Sequence, residues 1–351
     1  MDIKQAKSIL DKIIQKSRIH LYKPIQIAEI LYHHRTFPGM FDLLNLDCYR
    51  NPSKKWRNDI SIILLGRICT SSARFQDDLF NDNAIPPQIL DILGQENIRT
   101  GGAVEAYIYS RFMNKHTQLA EALNYCLSAS RESFCLITFI NSFRNETGLK
   151  RSIDKVYEVI VYALLSTIVS ALELRIEVSI DQTKSDLLTE FDDFAKMIMC
   201  LDTSNTKNTQ SAKIFRVGVT NAADRGLDMY SNWGPAIQVK HLSLDEELAA
   251  EVVDSVSSDK IVIICKDAEE KLIVSLLNQI GWRSKIQSII TEKNLINWYE
   301  KALRGQYADM LGDELLYCLC TEISNEFPSL SKTPDILKDR RYDEIHSELW
   351  M

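Results

Sequence analysis

The chain has 351 residues, of which 45% are hydrophobic and 25% are charged, and its formal net charge at pH 7 is −7. This composition is typical of a globular protein of about two domains, and it excludes disordered and fibrous chains. The acidic balance does not favour a polyanionic partner, so any contact with nucleic acid has to come from a local basic surface.

No segment has the pattern of a membrane span or a secretory signal. The longest apolar run, Val159 to Leu172, is shorter than the roughly 20 residues that a spanning helix needs. The N-terminal segment alternates charged and apolar residues at helical spacing, which predicts an amphipathic helix. The eight cysteines include no CxxC pair, so we interpret them as reduced structural thiols. We predict a cytoplasmic protein with no membrane contact.

Periodicity and turn residues divide the chain into three regions. Residues 1–150 predict a helical N-terminal region, and residues 306–351 predict a C-terminal helical segment. Residues 151–305 predict an α/β (α+β) core, which opens with a helix over 153–172 and a strand over 174–180. The polar segment that follows ends in 202–213, for which we predict a flexible loop.

Strands then alternate with helices, which predicts a mixed sheet flanked by helices. Strands are predicted over 214–220, 226–231, 236–242, 260–266 and 284–290. A turn over 232–235 joins the second and third of these into a hairpin. Ser243 and Glu246 have the spacing of a capping box, which predicts a helix that begins after Ser243.

The hairpin brings three polar residues to one face. If its turn is centred on Trp233, Asp228 lies directly opposite Gln238, because each is five positions from the centre. Opposed residues have Cβ atoms about 4.5–5.5 Å apart, and Lys240 follows on the same face. A carboxylate, an amide oxygen and an ammonium group form an oxygen-rich site for a hard cation such as Mg²⁺. Such a site suits phosphodiester hydrolysis.

The same residues resemble a nuclease signature. Asp228, with Gln238-Val239-Lys240 ten positions later, resembles the PD-(D/E)xK motif in its variant with Gln at the second acidic position. The phrases DRGLDMYSNWGPAIQVKHL, NPSKKWRND and TSSARFQDDLFNDNAIPP resemble type II restriction endonucleases of the HaeII kind over most of the chain. The resemblance implies a restriction-endonuclease-like fold and a catalytic set of Asp228, Gln238 and Lys240.

The resemblance also implies partners. It implies a Mg²⁺-dependent homodimer that cuts double-stranded DNA at a short, GC-rich palindrome, with a cognate DNA methyltransferase encoded nearby. The core over residues 151–305 would be catalytic, and residues 1–150 would serve DNA recognition or dimerisation.

The second acidic position of the motif is an amide here, so Asp228 would hold the metal with one charge only. Nucleases of this type are thought to recruit a glutamate from the preceding helix, and Glu158 is our candidate, with Glu173 and Glu177 as rivals. The alternative for Glu158 is an exposed helix edge and an ion pair with Lys155 or Arg151.

Two polar segments of the helical region are candidates for DNA contact. Basic side chains and hydrogen-bonding groups are what phosphate positioning and base reading use. The candidates are Lys54, Lys55 and Arg57 in the first segment and Ser71, Ser72, Arg74 and Gln76 in the second. Each segment has a plain alternative, a solvated surface for the first and a helix cap for the second.

Two other functions remain open. A repair or recombination nuclease of the same fold would recognise DNA structure instead of sequence. A DNA-binding protein with a degenerate, inactive nuclease core is the other alternative, and Gln238 is the feature that favours it.

Overall fold

The computed structural model forms two compact units. Residues 1–159 and the end of the chain from Cys320 belong to the first unit, and the described residues between Ile160 and Leu319 belong to the second. The residues that the structure describes are 1–68, 77–82, 84–217, 227–278, 285–328 and 334–350.

Helices build the first unit, as the sequence predicts. They are α1 (Ile3–Lys16), α2 (Tyr22–Thr36), α3 (Leu46–Tyr49), α4 (Pro52–Leu65), α5 (Pro87–Arg99), α6 (Ala103–Ser128), α7 (Leu136–Asn145) and the beginning of α8 (Ile153–Ala171). Helix α2 lies at the centre, because the eight consecutive residues from Pro24 to Leu31 are all buried. A helix that is buried on every side has to be surrounded by others, and α1, α4, α5 and α6 all contact α2.

The second unit contains two sheets. Its strands are β1 (Arg175–Ser179), β2 (Lys207–Ser211), β3 (Ile214–Arg216), β4 (Met229–Ser231), β5 (Ala236–Leu244), β6 (Ile261–Ala268) and β7 (Ile286–Thr291). Strands β1 and β2 form an antiparallel pair, and the others form a five-stranded sheet in the order β3-β4-β5-β6-β7. In that sheet β3, β4 and β5 are antiparallel, whereas β5, β6 and β7 are parallel. The predicted mixed α/β core is confirmed.

Helices connect and flank these strands. They are α9 (Ser185–Glu190), α10 (Asp192–Phe194), α11 (Glu246–Ser255), α12 (Glu270–Leu277), α13 (Glu292–Arg304) and α14 (Ala308–Glu326). Helix α11 provides the crossover between the parallel strands β5 and β6, and α12 lies in the connection from β6 to β7. Val252 and Leu276 of these helices share one core with Ile261 and Ile263 of β6. In the part of the chain that the structure describes, no helix is both long enough and apolar enough to cross a membrane.

The end of the chain packs in the first unit. After α15 (Asp335–Asp339), the Arg340 guanidinium donates two hydrogen bonds to the buried Glu29 carboxylate, at 2.6 and 3.0 Å. It also lies 3.6 Å from the centroid of the Tyr32 ring. Trp350 is buried, and its Nε1 donates to Glu96 at 3.2 Å. The core of this unit therefore contains side chains from both ends of the sequence.

The flexible loop predicted over 202–213 is wrong, because β2 lies inside it and pairs with β1. Its residues, Lys207 to Ser211, are polar, so they lack the alternation of apolar and polar residues that identifies a strand. The backbone groups of β1 need partners whatever side chains the partner strand carries, and the polar segment supplies them.

The predicted capping box is also wrong. Ser243 lies within β5, and the cap of α11 is Asp245, whose side chain accepts a hydrogen bond from the Leu248 N–H at 2.8 Å. Strand β5 pairs with β6 as far as Leu244, so the helix begins later than the Ser243 spacing predicts.

Candidate active site

The hairpin of β4 and β5 has the predicted register. Met229 pairs with Ile237, and Tyr230 pairs with Ala236. Continued by one position, this register sets Asp228 opposite Gln238, as the sequence predicts. Asp228 immediately precedes β4, and its main-chain oxygen accepts a hydrogen bond from the Val217 N–H at 2.9 Å. The backbone of Asp228 is therefore held from the β3 side while its side chain faces β5.

The Asp228 carboxylate is oriented by the main chain of β5. Its Oδ2 accepts a hydrogen bond from the Val239 N–H at 2.8 Å. By the alternation of an antiparallel ladder, this N–H is directed towards β4, where paired residues end at Met229. The carboxylate oxygen thus takes the position that a main-chain oxygen of β4 would occupy if the ladder continued. The main chain of Val239, the residue after Gln238, fixes its orientation. The Val239 N–H is a main-chain group, so side-chain types alone do not identify it as a partner of Asp228. The ladder pattern does, because it directs this N–H towards β4.

Gln238 carries a buried polar atom for which the described part of the chain provides no partner. Its side chain is 4% exposed, and no hydrogen-bond partner for Oε1 is found among the described residues. On the same face Ala236 precedes it, and Ile263 of β6 is paired with it; both are buried and apolar. A buried acceptor without a partner costs roughly 1–3 kcal/mol, so this oxygen is a candidate ligand atom.

Lys240 completes the group on the same face of β5. It is half-buried and pairs with Cys265 of β6, and the register of β5 against β6 shifts between Lys240 and Ser243. Irregularities of this kind redirect side chains and recur beside active sites. No hydrogen bond or ion pair of Lys240 is found within the described residues. The alternative of a surface ion pair between Asp228 and Lys240 is not among the ion pairs found within that part of the chain.

The oxygen atoms of Asp228 and Gln238 are of the kind that binds a hard cation, but together they carry only one negative charge. Asp228 offers a carboxylate and Gln238 an unpaired amide oxygen, which are ligand types that Mg²⁺ accepts. Within the described ranges, no three side chains of His, Cys, Asp or Glu come together in a way that could hold a metal ion. A metal held by this hairpin would therefore meet one formal negative charge from Asp228 and Gln238 together.

The three glutamate candidates differ in their surroundings. Glu158 lies on α8 and is 6% exposed, and Lys155 Nζ donates to both of its carboxylate oxygens, at 2.8 and 2.7 Å. The predicted pair with Lys155 is present, but the predicted exposed edge is wrong. Glu173 is exposed just beyond α8. Glu177 is exposed on β1 and forms an ion pair with Lys207 at 3.0 Å.

The candidates for DNA contact are only partly on the surface. On α4, Lys55 is exposed and Lys54 is half-buried. Arg57 is 3% exposed, donates to Gln26 Oε1 at 2.8 Å and covers the Tyr22 ring. Its guanidinium is thus engaged inside the first unit. The remaining candidates lie outside the described residues: Ser71, Ser72, Arg74 and Gln76.

Comparison with known proteins assigns the chain to a family. The family model described as HaeII restriction endonuclease matches residues 6–342. The type II restriction enzyme HaeII of Haemophilus aegyptius is 58% identical over 328 residues, which cover 93% of each chain. The type II restriction enzyme NgoBI of Neisseria gonorrhoeae is 56% identical over 348 residues, which cover 98% of each chain. No solved structure matches the chain. This protein belongs to the HaeII restriction endonuclease family.

Proposed function

We propose that this protein is a type II restriction endonuclease that hydrolyses phosphodiester bonds of double-stranded DNA with Mg²⁺. The observation that carries the proposal is the face shared by Asp228, Gln238 and Lys240 in a chain of this family. The relatives at 58% and 56% identity are named type II restriction enzymes, which supports the same activity here.

Asp228 and the Oε1 atom of Gln238 would hold the metal. When bound, Mg²⁺ supplies a Lewis acid that polarises the phosphate and lowers the pKa of a coordinated water. The hydrogen bond from the Val239 N–H keeps the Asp228 carboxylate in one orientation. The Gln238 Oε1 atom, for which the described residues offer no hydrogen-bond partner, would gain one in the metal.

Lys240 would act on the reacting phosphate. Its ammonium group offsets the negative charge that develops on the phosphate oxygens in the transition state, or orients the attacking water. Its place on the same face as Asp228 and Gln238, in a half-buried position, suits this role.

Glu158 remains our sequence-based candidate for a further carboxylate, because Gln238 brings no charge. Its carboxylate is held by Lys155, so a metal role requires that ion pair to open or rearrange. The exposed glutamates Glu173 and Glu177 remain the rivals.

The DNA site is proposed to be a short GC-rich palindrome read by a homodimer. A two-fold symmetric dimer matches the symmetry of a palindrome, so each protomer meets an equivalent half-site. Lys54 and Lys55 are candidates for phosphate contact. A cognate DNA methyltransferase, encoded nearby, would protect the host DNA from cleavage.

The test is incubation of the purified protein with plasmid DNA and Mg²⁺, with an EDTA reaction in parallel. We expect discrete bands that require the metal. A smear would contradict site specificity and favour a nuclease that reads DNA structure. Intact DNA at every Mg²⁺ concentration, together with retained DNA binding, would favour a degenerate nuclease core.

A further inference from the structure

Two cysteine side chains lie against each other in the first unit. Cys126 is in the last turn of α6, Cys320 is in the C-terminal half of α14, and their Sγ atoms are 3.2 Å apart. The Cys320 Sγ also lies 3.4 Å from the main-chain oxygen of Cys126. Neither residue belongs to the hairpin of β4 and β5, so the proposed nuclease chemistry does not account for this contact.

The two thiols differ in access and acidity. Cys126 is 1% exposed, whereas Cys320 is half-buried. The hydrogen bond between the two sulfurs lowers the pKa of the Cys320 thiol. The same hydrogen bond and burial raise the pKa of the Cys126 thiol. Because the thiolate is the nucleophile in disulfide exchange, Cys320 is the sulfur that an oxidant meets first.

We propose that Cys126 and Cys320 form a redox pair, which a low-molecular-weight disulfide such as oxidised glutathione converts to an intramolecular disulfide. The Cys320 thiolate attacks one sulfur of the oxidant, forms a mixed disulfide and releases one thiolate, which takes a proton. Cys126 then loses its proton and attacks the Cys320 sulfur, which releases the second thiolate. Two protein thiols are oxidised, and one oxidant disulfide is reduced to two thiols.

The geometry favours this second step over a lasting mixed disulfide. The sulfur atoms of a disulfide are about 2.05 Å apart, so the two thiols need to approach each other by only about 1 Å. Cys318 cannot replace Cys320 as the partner of Cys126. The side chains of two residues that are two positions apart on a helix point in directions about 200° apart. The bond would join the C-terminal half of α14 to the last turn of α6.

Peptide mapping of the full-length protein tests the proposal. The native protein is incubated with oxidised glutathione, its remaining thiols are alkylated, and the digest is analysed by mass spectrometry. We expect a linked peptide that contains Cys126 and Cys320 and that disappears after treatment with dithiothreitol. Glutathione retained on Cys320 without the link, or a link from either residue to another cysteine, would overturn the proposal.

Serine variants test the order of the steps. Cys126→Ser is expected to accumulate glutathione on Cys320, because the resolving thiol is missing. Cys320→Ser is expected to carry neither the link nor an adduct on Cys126, and the control Cys318→Ser is expected to form the link as the parent does. A Cys126 adduct in Cys320→Ser, formed as fast as the Cys320 adduct in Cys126→Ser, would refute the assigned order. Melting curves check the fold of each variant, and the map of the parent protein decides the pairing by itself.

Discussion

The amide of Gln238 illustrates, at the scale of a single residue, how a site can be built at the expense of stability. The buried apolar residues Ala236 and Ile263 are its neighbours on β5 and β6. The Gln238 Oε1 atom is buried there without a hydrogen-bond partner among the described residues. Local departures from good packing are expected at functional sites, so the departure itself supports a ligand role for this oxygen.

We expect Gln238→Met to make the protein more stable and inactive. The thioether keeps about the same volume and removes the unpaired acceptor, which is expected to raise the free energy of unfolding by about 1 kcal/mol. Cleavage is expected to be lost, because a thioether is a poor ligand for Mg²⁺. Urea unfolding and plasmid cleavage measure the two effects. A variant that cuts at the parental rate would remove Gln238 from the site.

Replacement of Lys240 by alanine is expected to reduce the cleavage rate by about 100- to 1000-fold, the usual cost of losing one group that stabilises transition-state charge. DNA affinity is expected to change little, because the group acts mainly on charge that develops during the reaction. Single-turnover cleavage and a binding titration in Ca²⁺ separate the effects. Lys266→Ala is the matched control, since Lys266 is exposed on the neighbouring strand β6. Equal rates for both variants would contradict the role of Lys240.

Glu158→Gln is expected to impair cleavage severely if Glu158 supplies the second carboxylate. The substitution also leaves the half-buried Lys155 ammonium without its carboxylate partner, which is expected to lower stability, so activity has to be compared among folded proteins. The double variant Lys155→Met, Glu158→Gln removes the stranded lysine charge and is expected to recover stability but not cleavage. If the double variant cuts normally, Glu158 is structural, and Glu173 and Glu177 become the candidates for the second carboxylate.

At the scale of elements, β1 and β2 form a pair of strands outside the five-stranded sheet. The Ile180 N–H donates to the Thr206 oxygen at 3.0 Å, and the Ala212 N–H donates to the Leu174 oxygen at 2.8 Å. The alternation between these two bonds directs the Asn208 N–H towards β1 and the Thr209 N–H away from it. A proline at position 208 would therefore remove a hydrogen bond to β1, whereas a proline at position 209 would not.

We expect Asn208→Pro to open this pair and Thr209→Pro to leave it largely intact. Proline at position 208 removes a ladder donor, whereas at position 209 it removes an N–H that does not bond to β1. Hydrogen exchange of the amides in Arg175–Ser179 is the measurement. Faster exchange in Asn208→Pro alone is expected, with β5 and β6 unchanged. The same exchange rates in both variants would show that the pair does not depend on this ladder.

The elements also show what the sequence could predict. The register of Asp228 and Gln238 was predictable because the turn at Trp233 and a period of two fix which residues meet. Strand β2 was not, because its polar residues carry no periodic signal. The cap at Asp245 was missed because Ser243 satisfies the same local pattern, and only the pairing of β5 with β6 decides where the strand ends. The unsatisfied oxygen of Gln238 depends on its neighbours in space, which no spacing along the chain reveals.

Stability against acid depends, at the scale of the molecule, on two histidines that are neutral in the folded state, the half-buried His20 and the buried His116. Burial, with contributions from Arg67 and Arg18, lowers the pKa of His20 to about 4. Burial, with contributions from His20 and Lys115, lowers the pKa of His116 to about 3. Their ring centroids are 6.0 Å apart in the first unit, so protonation of either ring disfavours the folded state.

We expect the melting temperature to fall as the pH is lowered from about 6.5, the pKa of an unfolded-state histidine. Between that value and the folded-state pKa, the unfolded chain binds protons that the folded chain does not, so stability decreases with decreasing pH. The loss is on the order of 2 kcal/mol per histidine at pH 5. Melting curves from pH 8 to pH 5 measure it, and His116→Leu is expected to show a shallower slope. Parallel slopes for parent and variant would contradict this origin.

The packing of Arg340 and Trp350 beside Glu29 and Glu96 has a consequence for synthesis of the chain. Arg340 is synthesised 311 residues after Glu29, and Trp350 is synthesised 254 residues after Glu96. Most of the first unit is therefore made before the Glu29 carboxylate and the Glu96 carboxylate can meet these partners. A product truncated before position 340 lacks both contacts, so the core of the first unit is left incomplete in it.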